Sequence, residues 1–231
     1  MKKALLMDLG NTIVRNLDFD FYRGLKHIYG KAIEPKIFYG ELLEFNDKLK
    51  VLTYENKDEY EISLKSYLNY IKKYFDLSFN QDLESLELEF VSKVERLELM
   101  PGVLELFKYC KKKNIKIVVL SNTSFSAKAI YSQIEKFHFM KYIDNFLLSS
   151  EYIFRKPNKA FFELGIKVTG RPVDDILYIG DNYQADILGG IQSGLDVCWY
   201  NEKKEDNYLN LDCIDIQNHS QLIKYLEENY D

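Results

Sequence analysis

Three aspartates, a serine and a lysine stand where short apolar runs of this sequence stop. Asp8 follows Ala4 to Met7, and Ser121 closes the run that begins at Ile115. Lys156 precedes a proline in "RKPN", and Asp181 ends "ILYIG" with Asp186 five residues later. In an open parallel sheet, ligands bind outside the carboxyl ends of the strands, so such residues would meet at one rim. Several carboxylates cannot share a rim unneutralised, which implies a divalent cation. Oxygen ligands at this density suit Mg²⁺, which also accepts water and phosphate as ligands. A hydroxyl and an ammonium beside that cation make a phosphate cradle. An aspartate facing a phosphate held there is a competent nucleophile, forming an aspartyl-phosphate. Each residue alone has a plainer reading as a turn, a helix cap or a solvated charge; the joint pattern carries the argument.

The elements that must position these groups alternate in texture. After Met100, "PGVLELFKYCKKKN" reads as a helix closed by Asn114, and "IKIVVLS" as a strand buried on both faces. A helix over about 126–137, a strand at Phe146 to Leu148, a helix over Lys159 to Thr169 and a strand at Ile176 to Ile179 follow. A helix after Ala185, a strand at Leu195 to Tyr200 and a terminal helix from Ser220 complete the run. This alternation predicts an α/β fold with a doubly wound parallel sheet. From about Leu17 to Leu99 the pattern is helical instead, with two or three helices between Asp18 and Leu52. "EYEISLKSYLNYIKKYF" (59–75) places Ile62, Tyr67, Tyr70, Ile71 and Tyr74 on one face, and "LESLELEFVSKVERLEL" (83–99) reads as another helix. The reading is a core of residues 1–14 and 100–231 with an all-helical domain, 15–99, inserted after the first strand.

Composition narrows the partners. The 231 residues are 46% hydrophobic and 29% charged, with a net charge of −5. That is an ordinary globular balance with no basic stripe, which argues against nucleic acid. Cys110, Cys198 and Cys213 match no zinc spacing or disulfide framework and read as reduced thiols. The apolar run in "MKKALLMD" stops after four residues, too short for a signal peptide. No segment approaches the ~20 apolar residues of a membrane span. A cytoplasmic protein, monomeric or homodimeric and acting without a membrane, is the expectation.

In order and spacing, Asp8-Leu9-Gly10-Asn11-Thr12, Ser121, Lys156-Pro157 and Gly180-Asp181 with Asp186 resemble the four motifs of the haloacid dehalogenase (HAD) superfamily. The helical insertion resembles the C1 cap of its subfamily I, on a Rossmann-like core. "DLGN" resembles a branch that includes sugar-1-phosphate phosphatases, and the likeness spans essentially the whole chain. It implies a Mg²⁺-dependent phosphatase acting on a small phosphorylated metabolite. Asp8 would be nucleophile and metal ligand, and Gly10 would offer its backbone carbonyl to the metal. Ser121 would hold the phosphoryl oxygens, with Asn122, Leu9 and Gly10 beside it. Lys156 would neutralise the nucleophile and the transferring group. Asp181 would ligate the metal, Asp186 would ligate it or orient its water, and Thr12 would fix the turn.

Gly10 departs from the family's commonest pattern, in which a second aspartate two residues after the nucleophile is the general acid/base. A positioned acid/base is worth about 10²–10⁴-fold. One explanation is a proton supplied otherwise, by a less basic leaving group or by His27, Asp18, Asp20 or Tyr22 reaching in; the plainer reading of Asp18 is a helix cap. A second is phosphonatase chemistry, with Lys26 or Lys31 as the Schiff base. A third is a phosphate-binding protein with little turnover. Retention of Asp181 and Asp186 argues against dehalogenation, which has no need of the metal.

Overall fold

The β-branched and apolar runs form six parallel strands because each is buried on both faces and needs helices on either side. The computed structural model describes residues 2–54 and 60–230. The strands of the main sheet are β1 (Ala4–Met7), β4 (Lys116–Ser121), β5 (Asn145–Leu148), β6 (Ile176–Gly180), β7 (Asp196–Tyr200) and β8 (Ile214–Ile216), in the order β5-β4-β1-β6-β7-β8. Side-chain alternation divides them between two cores. Leu5, Met7, Ile117, Val119, Leu177 and Ile179 face one way, and Ala4, Leu6, Val118, Leu120 and Tyr178 the other. Helices α5 (Val103–Lys112), α6 (Ala127–Ile134) and α9 (His219–Tyr230) supply Phe107, Ile134, Leu222 and Leu226 to the first core, and α7 (Lys159–Thr169) supplies Phe161 and Phe162 to the second. The chain leaves β1 for β4 on one side and later returns to β6 on the other. Asp8 therefore ends the strand at which the winding reverses.

Between β1 and α5 the described residues form four helices: α1 (Phe21–Tyr29), α2 (Tyr39–Tyr54), α3 (Leu64–Tyr74) and α4 (Leu83–Val94). They cross to the sheet through a two-stranded antiparallel ribbon of β2 (Val14–Asn16) and β3 (Leu97–Leu99), in the register Val14↔Leu99 and Asn16↔Leu97. This corrects the helix expected over 83–99. Glu95 turns extended at the end of α4, and Leu97-Glu98-Leu99 alternates with period two, which suits a strand. The ribbon straddles the expected boundary at 14/15 and stops at the one expected at 99/100.

Helix α3 also departs from expectation. It starts only after Ser63, whose hydroxyl caps Ser66 N, and its buried face is Leu64, Leu68 and Ile71. Ile62, Tyr70 and Tyr74 are exposed, with Tyr70 and Tyr74 stacking on Phe45. Aromatic rings satisfied the spacing, but smaller aliphatic residues won the core; Glu59 lies outside the described residues. The cap of α1 is Asp20, accepting from Tyr22 N and Arg23 N, whereas Asp18 pairs with Arg23. Strand β8 was unforeseen. The helix expected after Ala185 is a wide π-type turn, Tyr183–Leu188, leading into the short α8 (Gly189–Gln192).

One contact ties the end of the fold to its beginning. His219, the first residue of α9, is buried, and its Nε2 lies 2.7 Å from the carbonyl oxygen of Thr12. Burial lowers its pKa to about 4, so the ring is neutral at pH 7 and donates from Nε2.

Candidate active site

Asp8 is placed by the sheet, its N–H donating to Ile179 O at 2.8 Å. Lys156 arrives from the loop after β5. Asn122, just past β4, clamps that loop: Lys156 N donates to Asn122 Oδ1 and Asn122 Nδ2 donates to Lys156 O, both at 2.8 Å. The ammonium is thereby aimed inward. It donates to Asp8 Oδ1 at 2.6 Å, Asp186 Oδ1 at 2.6 Å and the Tyr178 hydroxyl at 2.9 Å, which uses its three protons. The Tyr178 hydroxyl in turn donates a hydrogen bond to Asp186 Oδ1 at 2.6 Å.

Asp186 reaches this cluster because Gly180 has no side chain. A Cβ at position 180 would lie 2.4 Å from Asp186 Cγ, so any larger residue expels the carboxylate. Its Oδ2 accepts from Asn182 N at 2.9 Å. Asp181 is held from both sides: the Asn11 side chain hydrogen-bonds its carboxyl, and Trp199 Nε1 donates to its carbonyl. Asn11 adopts the left-handed conformation (φ 50°), which asparagine tolerates. Thus Asp8, Asp181 and Asp186 each offer an oxygen, all within 4.8 Å of one another.

The electrostatics match a site that takes a cation. Burial, aided by Asp186, raises the Asp8 carboxyl to about 6 against the pull of Lys156. Burial and the charges of Asp8 and Asp186 raise Asp181 to about 7. Burial alone would lower Lys156, but the Asp186 and Asp8 carboxylates hold it above its ordinary value, so it stays an ammonium. One cation is short of three carboxylates, and the deficit falls on oxygens that a hard divalent ion prefers.

Two hollows meet at Gly10 on this rim. The larger, about 620 Å³, is lined by Asp8, Lys156, Asp181 and Asp186. The second, about 360 Å³, lies toward the helices and is lined by Leu9, Ser121, Thr123, Glu61 and Glu95. Gly10, Asn11, Asn122 and Arg155 border both. All the expected site residues come to this rim: Asp8, Lys156, Asp181 and Asp186 in the first hollow, Ser121 and Leu9 in the second, with Gly10 and Asn122 between them. The Leu9 N–H hydrogen-bonds the Asp8 carboxyl.

The candidate proton donors and Schiff-base lysines are not brought there. Asp18 pairs with Arg23, Asp20 caps α1, Tyr22 donates to Asp47, and His27 lies against Glu89. Lys31 pairs with that same Glu89, and Lys26 is exposed. Three residues were missed. Tyr178 read as one apolar position of a buried strand, although its hydroxyl, three residues before Asp181, was a signal. Asn11 read only as part of the turn. Glu95 was assigned to the middle of a helix.

A family model for haloacid dehalogenase-like hydrolases matches residues 2–194. The chain belongs to that family. Among curated relatives, the pyrimidine 5'-nucleotidase YjjG of Escherichia coli is 32% identical over 103 residues, a match covering 44% of each chain and so less than half of that relative's length. The glyceraldehyde 3-phosphate phosphatase of Methanocaldococcus jannaschii is 21% identical over 99% of this chain and 100% of its own. In structure, the HAD phosphatase of Thermococcus onnurineus superposes with a TM-score of 0.67 over 97% of both chains at 19% identity. Solved 2-haloacid dehalogenases superpose to a similar degree, so these likenesses speak for the HAD fold alone. Among the described residues, no helix is long and apolar enough to cross a membrane.

Proposed function

We propose that this HAD hydrolase is a phosphatase of small phosphomonoesters that works through a phospho-Asp8 intermediate and depends on Mg²⁺. The supporting observation is the junction of Asp8, Lys156 and Asp186 beside Asp181. A nucleophile sits under an ammonium that shields it from the substrate's negative charge, next to a carboxylate set that fits a hard divalent ion. Asp8, Asp181 and Asp186 would hold that ion, with the Gly10 carbonyl; when bound, it neutralises charge on the phosphoryl oxygens. Ser121 and the Leu9 and Gly10 N–H groups border the space for those oxygens. The helices of residues 15–99 are read as a subfamily I cap that chooses the substrate.

For substrate class we favour a sugar phosphate, in keeping with the "DLGN" turn and the end-to-end similarity to a glyceraldehyde 3-phosphate phosphatase. The nucleotidase likeness makes nucleoside monophosphates the first competitors. Phosphonatase chemistry has less support, because neither Lys26 nor Lys31 borders either hollow. The test is phosphate release from sugar 1-phosphates, sugar 6-phosphates, glyceraldehyde 3-phosphate, pyrimidine nucleotides and a phosphonate, with and without Mg²⁺. Release from monoesters that is lost in Asp8→Asn, by on the order of 10⁴-fold or more, supports the reading. Undiminished turnover in that variant sinks the covalent mechanism.

A further inference from the structure

We propose that Glu95 is the general acid/base that position 10 does not carry; the inference rests on the phosphatase reading above. The place of the missing side chain is open. Gly10 is not in the left-handed region, and a Cβ there would meet only Asp8 Oδ2, at an ordinary 3.8 Å. Neither backbone nor packing demands a glycine, and Gly10 borders both the hollow that Asp8 lines and the second hollow. Glu95 is on the wall of that hollow, with Gly10, Ser121 and Asn122.

Its setting suits proton transfer. Glu95 follows the last turn of α4 and is half-buried at one of the two crossings between the helices and the sheet. Asn16, from the other crossing, donates to Oε2 at 2.9 Å and orients the carboxyl, while Oε1 has no partner among the described residues. Burial raises its pKa to about 7, opposed only by the Lys136 charge, which places the group where it can both give and take a proton near neutrality. The other acid of the hollow is engaged: Glu61 accepts from Ser149 Oγ at 2.6 Å and pairs with Arg155 at 3.4 Å. That leaves Glu95 as the carboxyl of this hollow with a free oxygen.

The steps balance. Asp8 attacks phosphorus, the ester P–O bond breaks, and protonated Glu95 gives its proton to the departing alkoxide. The resulting carboxylate takes a proton from water, whose oxygen attacks the phosphorus of phospho-Asp8. The acyl-phosphate P–O bond breaks, and inorganic phosphate, free Asp8 and protonated Glu95 remain.

A general acid matters in proportion to the basicity of the leaving group, so the test compares glycerol 3-phosphate with p-nitrophenyl phosphate. In Glu95→Gln, kcat/KM for the alkyl ester should fall about 10²–10⁴-fold, that for the aryl ester by less than about tenfold, and phospho-Asp8 should accumulate. Adding Gly10→Asp should raise the alkyl rate more in Glu95→Gln than in the wild type. The wild-type alkyl kcat/KM should decline as pH rises through about 7, and Glu95→Gln should lack that decline. Asn16→Ala, a second handle should Glu95→Gln not fold, removes a donor to the carboxylate and should move the decline to higher pH. Equal losses on both esters, no loss on either, or a decline that Asn16→Ala leaves in place overturn the assignment of Glu95 while an Asp8-dependent burst keeps the phosphatase reading. If wild-type protein releases phosphate from no monoester, the phosphatase reading fails and Glu95 falls with it.

Discussion

The two hollows that meet at Gly10 are built differently. Around Lys156 each hydrogen-bonding group is matched, although one cation faces three carboxylates: the ammonium spends its three protons on Asp8, Asp186 and Tyr178, and Asp186 takes a further bond from Asn182 N. Under the helices the polar groups are only partly engaged. Arg155 Nε is buried without a partner, and Glu95 has one hydrogen bond and one free oxygen. Parallel strand ends and short loops impose the first arrangement before any ligand arrives, as preorganised electrostatic catalysis requires. The second has unspent hydrogen-bonding capacity, which suits a surface that must meet a substrate's varied end.

The largest effect should come from the matched side. Lys156→Met leaves Asp8 and Asp186 facing each other without a cation, and should cost about 3–5 kcal/mol in urea unfolding, with Mg²⁺ restoring part of it. A comparable Lys156 effect with no response to Mg²⁺ would blur the contrast, since the carboxylates would then have no other cation. His219 comes next. Its pKa is about 4 folded and about 6.5 unfolded, so the folded state binds fewer protons between these values. Stability is full above about 6.5 and falls as pH drops toward 4, by at most roughly 1.4 kcal/mol per pH unit. Urea midpoints of His219→Gln should lack that slope. Tyr178→Phe keeps the ring and removes the hydroxyl that links Lys156 to Asp186; a loss of about 1 kcal/mol and of less than about tenfold in turnover is expected. The smallest stability effect belongs to the unmatched side. Arg155→Gln loosens a long, 3.4 Å pair and leaves Glu61 its bond from Ser149 Oγ, so stability should change by about 1 kcal/mol or less while KM rises more than kcat falls.

Legibility in the sequence followed the same division. Helix α7 runs from Lys159 to Thr169 as expected because both its signals are local: Asn158 caps Ala160 N, and Gly170 stops it in the left-handed conformation. The rim was legible because β-branched runs announce buried strands and the chemistry follows directly after them. Tyr178 was hidden by that rule, since a strand buried on both faces gives no cue to which side chain carries a working hydroxyl. In the helices, spacing alone put Tyr70 and Tyr74 beside Ile71 in a core that Ile71 in fact shares with Leu64 and Leu68. Glu95 was invisible for a third reason. Its position depends on where α4 stops, and the end of a helix is a matter of one or two residues of backbone energy.

The bond between His219 and the Thr12 carbonyl joins residues 207 positions apart. At the pace of protein synthesis, about 5–20 residues per second, the histidine follows the threonine by on the order of ten seconds or more. β1 waits as well, first for β4 on one edge and then for β6 on the other. Until residue 156 is made Asp8 lacks its lysine, and until residue 180 it lacks the second of its flanking strands. The rim around Asp8 is therefore assembled only after Gly180 has been made, and a chain cut before α9 leaves the turn after Asp8 without its closing bond.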